Sequence, residues 1–315
     1  MSVMVTGGTG FIGARIVRKL VERGQEVVCF DLAPPKSNLQ PYMEHIKFFR
    51  GDTTQMAHLL EAIHTHQVRR IVHMAALLPP DTEERPQYGM YVNIHGTNNV
   101  FEVARWTGLE RVVYASSIAV YGVQETFGQR PVTEEDISNP VNVYGMTKAA
   151  NDFSARRYIQ RFGLDLRGVR ICTVFGHGRT TGMTGLIGGL LMSLPAIGKP
   201  VEVPFDPEEP SPMIYVEDAA EIFVQAALSD GLQSDVYISG GHLATLGEMA
   251  GLVKGLLPDA QITLGDGAVP HIYLVDNSRM LRDIGYELPP LRLRVLEHIN
   301  EARQEAGLEP VQDVG

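Results

Sequence analysis

Tyr144 and Lys148 lie four residues apart in a stretch, Val143 to Arg161, whose pattern predicts a helix. That spacing puts both on one helix face. An ammonium held near a phenol favours the phenolate and draws the tyrosine below its usual pKa of about 10. Such a tyrosine exchanges a proton with an alcohol near neutral pH. Ser117 follows an expected strand, Arg111 to Ala115, and its hydroxyl suits the same substrate oxygen. By spacing alone, Tyr144 and Lys148 also suit a plain surface pair.

A second constellation stands at the start: Val3-Met4-Val5-Thr6-Gly7-Gly8-Thr9-Gly10-Phe11-Ile12-Gly13. A short apolar run meets a glycine cluster. Then Ile12, Ile16, Val17, Leu20 and Val21 recur at helical spacing. Strand, turn and helix with glycines at the turn suit a dinucleotide-binding unit, although a glycine-rich turn with no ligand fits the triplet alone. One glycine makes the turn, one lets a pyrophosphate touch backbone, and one lets helix and strand pack closely. The phosphates sit at the helix N-terminus, where N–H groups and the dipole favour an anion. Asp31 ends the next apolar run, 18 residues after Gly13, close to the expected offset of about 20. Its carboxylate accepts from both ribose hydroxyls of NAD and repels a 2′-phosphate, so NAD is favoured over NADP. Asp52 is placed to meet adenine or to cap a helix.

These side chains need a scaffold, and the remaining sequence supplies one. Strands are expected at Ile46–Phe49, Arg70–Met74, Arg111–Ala115 and Leu166–Val174, with helices at Leu59–Ile63, Gln87–Trp106 and Val143–Arg161. Alternation of this kind means a parallel sheet covered on both faces. After Gly176 the texture turns Gly- and Pro-rich. Short pieces follow at Leu186–Leu194, Val201–Val203, Asp218–Leu228, Val236–Ile238, Leu246–Leu257 and Leu293–Ala306. The expectation is an α/β fold, a doubly wound Rossmann-type sheet with a small C-terminal substrate-binding lobe. The division falls at 1–175 and 176–315, with segments around 213–240 returning to the core domain.

The 315 residues are 44% hydrophobic and 20% charged, with a net charge of −10. That balance excludes nucleic acid and anionic membranes as general partners. No apolar run reaches the length of a membrane span. Nothing resembles a signal peptide, and Cys29 and Cys172 fall inside expected strands. A cytoplasmic protein with free thiols is expected. No His/Cys/Asp/Glu set has metal-ligand spacing.

Three motifs together, Thr6 to Gly13, Ser116-Ser117-Ile118-Ala119-Val120-Tyr121-Gly122 and Tyr144-Gly145-Met146-Thr147-Lys148, resemble the extended short-chain dehydrogenase/reductases, the NAD-dependent epimerase/dehydratase group. Tyr215-Val216-Glu217-Asp218-Ala219-Ala220 resembles a late motif of the same family, so the likeness spans essentially the whole chain. It implies Tyr144 as acid or base, Lys148 on the nicotinamide ribose and Ser117 on the substrate oxygen. Asn93 matches a family asparagine near the site, although a helix side chain bonding backbone fits too. The expected cofactor contacts are Gly7, Gly10, Phe11, Ile12, Gly13, Asp31, Asp52, Thr53, Ala75, Ala76, Asn93, Tyr144 and Lys148. The helices at Gln87–Trp106 and Val143–Arg161 resemble those that pair in family dimers, so a homodimer is expected.

Departures from the family pattern narrow the substrate. Relatives acting on nucleotide-diphospho-sugars usually carry Asn where Thr173 stands and Arg where Ser211 stands. Without that bidentate partner a diphosphate loses charge-assisted bonds. The acids of the dehydratases are missing beside Ser117. Arg179 could clamp a carboxylate, as in uronate-dehydrogenase-like relatives, or lie in solvent. His73 is expected to pack internally rather than catalyse. These readings describe an NAD-dependent oxidoreductase acting on a small sugar-like or carboxylate-bearing alcohol, contacted by Ser117, Thr173 and Arg179. A nucleotide-sugar epimerase with tightly bound NAD is the first alternative, and a non-catalytic NAD-sensing module the second.

Overall fold

The computed structural model describes residues 1–312. The first half runs β1 (Ser2–Thr6), α1 (Gly13–Glu22), β2 (Glu26–Asp31), β3 (Ile46–Arg50), α2 (Met56–His66), β4 (Arg70–His73), α3 (Asp81–Glu84), α4 (Pro86–Met90), α5 (Gly96–Thr107), β5 (Arg111–Ser117), α6 (Val143–Phe162) and β6 (Leu166–Ile171). The second runs β7 (Thr173–Phe175), α7 (Gly182–Gly185), α8 (Leu191–Ala196), β8 (Val201–Phe205), β9 (Pro210–Tyr215), α9 (Val216–Leu228), β10 (Val236–Ile238), β11 (His242–Thr245), α10 (Leu246–Leu256), β12 (Ile262–Gly267), α11 (Ser278–Asp283) and α12 (Leu291–Glu305).

Seven strands form one sheet in the order β10-β6-β5-β4-β1-β2-β3, and every pairing in it is parallel. Period-two alternation sends Val3 and Val5 of β1 to one face and Met4 to the other. Val27 and Cys29 of β2 part from Val28 and Phe30 in the same way. Both faces are buried, which is why these strands read as continuous apolar runs. The α1 residues Ile16, Val17 and Leu20 are fully buried, each worth roughly 1.5 to 3 kcal/mol of transfer free energy. Glu217 at the start of α9 ties α1 down by pairing with Arg15 and Lys19, each at 3.2 Å, and with Arg18. Strand order reverses between β1 and β4, so a crevice opens beyond their carboxyl ends.

Two expected elements differ. The stretch from Leu166 to Val174 is not one strand. β6 stays in the large sheet, while β7, after Cys172, joins a three-stranded sheet ordered β11-β9-β7. Strand-forming residues lie on both sides of Cys172 with no Pro, Asn or Asp between them, so nothing in the pattern marks the switch. The helix expected from Gln87 to Trp106 contains a π-helical turn, Tyr91–His95, between α4 and α5. A smaller second core, with Leu191, Val201, Met249, Val253, Val295 and Ile299, belongs to the C-terminal elements.

Candidate active site

The glycine turn is built on close approach. Gly7 adopts φ +66°, and a Cβ there would lie 2.8 Å from the Ala75 nitrogen. A Cβ on Gly13 would lie 2.0 Å from the Gly7 oxygen, so only glycine lets α1 sit on the turn. The N-terminus of α1 has no side-chain cap and no acid in its first turn. Its positive end is therefore uncompensated and suits an anion. Asp31 accepts from Thr9 N–H at 3.0 Å and from Ala33 N–H at 3.1 Å. Its carboxylate is thereby fixed at the rim of a cavity of about 350 Å3. The turn residues Gly7, Gly10, Phe11, Ile12 and Gly13 line this cavity, as do Asp52, Thr53, Ala75, Ala76, Tyr144 and Lys148. Asp52 does not cap α2, which begins after Gln55. It closes a local turn instead, accepting from Thr54 N–H at 2.8 Å.

Asn93 is placed differently from its expected cofactor contact. It is fully buried in the π turn. Its Oδ1 accepts from Leu77 N–H at 2.8 Å and its Nδ2 donates to the Leu77 carbonyl at 3.0 Å. Both ends of the amide are spent on positioning the loop after β4. His73 lies beneath the same loop, between the hydroxyls of Thr6 (2.7 Å) and Thr97 (3.0 Å). Thr97 donates its proton to the Asn93 carbonyl at 2.6 Å. It must therefore accept from His73 Nε2–H, which leaves Nδ1 to accept from Thr6. Burial pushes His73 down to about 3, with Lys148 adding repulsion. It is a neutral structural histidine.

Tyr144 stands at the start of α6, whose N-cap Asn142 accepts from Gly145 N–H at 2.7 Å. Glu83, which the sequence did not single out, accepts from the Val143 and Tyr144 amides at 3.2 Å each. The start of α6 is thus also capped from α3. Ser117 Oγ accepts from Ala119 N–H at 3.1 Å, which leaves its own proton for the Tyr144 phenol. Lys148 Nζ donates to the Ala115 carbonyl at 2.7 Å and lies 5.6 Å from the Tyr144 ring centroid. Against expectation, the tyrosine pKa is raised. Burial outweighs the lowering by the Ser117 hydrogen bond and the Arg179 charge. Lys148 is itself pushed down to about 8 by burial, with Asp152 opposing. The sequence showed the Tyr–Lys spacing but not the desolvation.

Beyond Tyr144 a second cavity of about 250 Å3 opens. It shares Tyr144 and Arg179 with the first and adds Ser117 and Thr173. Its remaining wall is largely apolar, with Leu78, Pro79, Val141, Met183 and Ile272. Arg179 Nη2 donates to Thr184 Oγ1 at 2.5 Å, while its buried Nε has no partner. Among the described residues no carboxylate pairs with it, and burial lowers its pKa. His271, absent from the sequence reading, also faces this cavity. It comes from an irregular stretch after β12, where no periodic signal marks it. Ser211 stands behind Thr173, their hydroxyls 2.9 Å apart. Cys172 is inert, its thiol pushed up to about 12 by burial. Among the described residues no cluster of His, Cys, Asp or Glu is arranged to hold a metal.

The arrangement joins an anion-binding turn to a serine–tyrosine–lysine set facing a small, guanidinium-tipped pocket. Comparison with known proteins gives the family and the fold. The family model described as NAD dependent epimerase/dehydratase family matches residues 3–239. A curated Sinorhizobium fredii relative is 34% identical over 178 residues, 56% of this chain, and the chain spans only 42% of it. D-erythronate dehydrogenase from Cupriavidus necator is 28% identical over 247 residues, covering 74% of this chain and 72% of that one. The Thermus thermophilus UDP-glucose 4-epimerase, solved with NAD, superposes with a TM-score of 0.83 at 27% identity, over 96% of this chain and 99% of that one. A GalE-like L-threonine dehydrogenase from Cupriavidus necator, in its holo form, gives 0.84 at 25% identity, over 95% and 99%.

Proposed function

The chain belongs to the NAD-dependent epimerase/dehydratase family, and we propose that within it the protein oxidises a small, carboxylate-bearing secondary alcohol. The fold and chemistry are those of an extended short-chain oxidoreductase that uses NAD. The observation that carries the substrate class is Arg179, a half-buried guanidinium beside Tyr144 with an unpartnered Nε and no acidic neighbour. A desolvated cation without a counter-ion is costly, and a substrate carboxylate supplies one. The cavity volume of about 250 Å3 is below the roughly 300 Å3 at which pockets for drug-sized ligands begin. A D-erythronate dehydrogenase and an L-threonine dehydrogenase among the relatives, both named for carboxylate-bearing alcohols, support the reading.

A bound NAD would supply the hydride acceptor for the alcohol carbon. The glycine turn and the open end of α1 would hold its pyrophosphate, Asp31 its adenosine ribose and Lys148 its nicotinamide ribose. Tyr144 accepts the alcohol proton, and Ser117 orients the same oxygen. Arg179 grips the carboxylate and also favours the phenolate.

NADH formation on a panel of aldonates, uronates and hydroxy-amino acids tests the proposal. Silence across that panel, with epimerisation of a UDP- or dTDP-sugar, overturns it. No described helix is long and apolar enough to cross a membrane. We place the protein in the cytoplasm, as its two buried free cysteines suggest. We further propose a homodimer. Trp106 on α5 with Phe153 and Phe162 on α6 expose large apolar side chains, and sedimentation checks whether two copies cover them.

A further inference from the structure

The strongest unexplained feature is a hydrogen-bond chain in the wall of the second cavity. His271 Nδ1 lies 2.6 Å from the Val269 carbonyl. Its Nε2 lies 3.2 Å from Ser211 Oγ, and Ser211 Oγ lies 2.9 Å from Thr173 Oγ1. The carbonyl only accepts, so Nδ1 carries the imidazole proton. Burial lowers the pKa of His271 against the pull of the Val269 carbonyl, Glu209 and Glu125, which favours the neutral ring. Neutral His271 then presents a lone pair at Nε2, and Ser211 donates to it. The single Ser211 proton is then spent on Nε2, so between the two rotatable hydroxyls, 2.9 Å apart, Ser211 can meet Thr173 only as acceptor and Thr173 donates. Ser211 is almost wholly buried, so no bulk water resets this order.

The chain is also held mechanically. The buried Gln124 accepts at Oε1 from Tyr273 N–H (3.2 Å) and Leu274 N–H (3.0 Å). Its backbone N–H donates to the His271 carbonyl at 3.2 Å. Its Nε2 donates to the Gly128 and Arg130 carbonyls at 2.9 and 3.0 Å. Thr173 reaches Ser211 because β7 pairs with β9 after leaving the large sheet.

We infer that His271, Ser211 and Thr173 form a specificity device that fixes Thr173 as a hydrogen-bond acceptor toward the substrate. The substrate then carries three handles: a carboxylate for Arg179, the reacting alcohol for Tyr144 and Ser117, and a further O–H or N–H donor for Thr173. This rests on the carboxylate reading of Arg179. It selects polyhydroxy or amino-hydroxy acids over acids with one hydroxyl. It also disfavours a diphosphate, whose oxygens bring acceptors to an acceptor.

Calorimetry on the NADH complex tests this without requiring turnover. Erythronate and threonate serve as polyhydroxy probes, and hydroxybutyrates as acids of equal carbon number with one hydroxyl. The wild type should bind the polyhydroxy acids about tenfold more tightly, one buried hydrogen bond's worth. Thr173→Val should abolish that preference, its affinity loss falling mainly on the polyhydroxy acids. His271→Phe should weaken the preference, and His271→Gln, which keeps an acceptor for Ser211, should restore it. Equal weakening of both probe classes, a preference that survives Thr173→Val, or no binding of either class overturns the inference. Nitrogen NMR of His271 in the unmodified protein gives a second check if a variant fails to fold. The neutral Nδ1–H tautomer is expected, and an Nε2–H tautomer overturns the chain. An intact binding preference without NADH formation would instead sink the oxidoreductase reading.

Discussion

Replacing Arg179 separates substrate recognition from tyrosine activation. Its guanidinium lies in the cavity wall with Nε unpartnered, and its charge also bears on Tyr144. A hydrogen bond to a charged group contributes about 1.5 to 3 kcal/mol, or roughly 10- to 150-fold at 1.36 kcal/mol per decade. Arg179→Gln should therefore raise KM for a carboxylate substrate by that range. Arg179→Lys keeps the charge but not the planar fork, so its KM should fall between the two. Removing the charge also removes one of the two influences that lower the Tyr144 pKa. The alkaline shift this predicts appears in the pH profile of kcat, while KM reports the carboxylate. Initial rates of NADH formation across pH and substrate concentration give both. If KM stays at the wild-type value and only the kcat profile moves, Arg179 serves the tyrosine alone and the carboxylate assignment is wrong.

Three other outcomes are expected. Tyr144→Phe should cut kcat by about 10²- to 10⁴-fold, the usual contribution of a positioned acid or base, while calorimetry still finds NAD bound. Gly13→Ala places a Cβ 2.0 Å from the Gly7 oxygen. The turn must open to admit it, so NAD affinity should fall at least about tenfold with the circular dichroism of the fold kept; unchanged affinity would remove the turn from the cofactor site. Burial pushes both His73 and His298 down to about 3. Their stability contribution is present above the unfolded pKa of about 6.5 and is lost as pH falls toward 3. At pH 4.5, two units below 6.5, each should cost about 2 to 3 kcal/mol. Urea midpoints that stay level from pH 6.5 to 4.5 would contradict this.

Much of the fold was legible because its signals are local. The apolar run, glycine turn and amphipathic segment of residues 3 to 21 are adjacent in sequence. The Tyr144–Lys148 pair needs only helical spacing. What escaped depends on distant partners. Thr173 meets Ser211 across 38 residues and Ser211 meets His271 across 60, and no pattern in one segment reports on another so far away. The direction of the Tyr144 pKa depends on desolvation assembled from several elements. Asn93 was recognised as special, yet its contact with Leu77 arises from a π turn that leaves the apolar pattern unmarked. Glu83 reads as one charge in the run Asp81-Thr82-Glu83-Glu84 until α3 folds against α6.

That π turn has a consequence for where this segment can point. A regular helix locks every face to every other from end to end. One extra residue in the Tyr91–His95 turn puts the parts before and after it out of phase by about 100°. Ahead of it, Tyr88 looks into the cofactor cavity. Behind it, Val100, Phe101 and Ala104 fill the core under the sheet. That fixed offset lets one continuous helical segment send Tyr88 to the cavity and Val100, Phe101 and Ala104 to the core, two directions that an unbroken helical register would not combine.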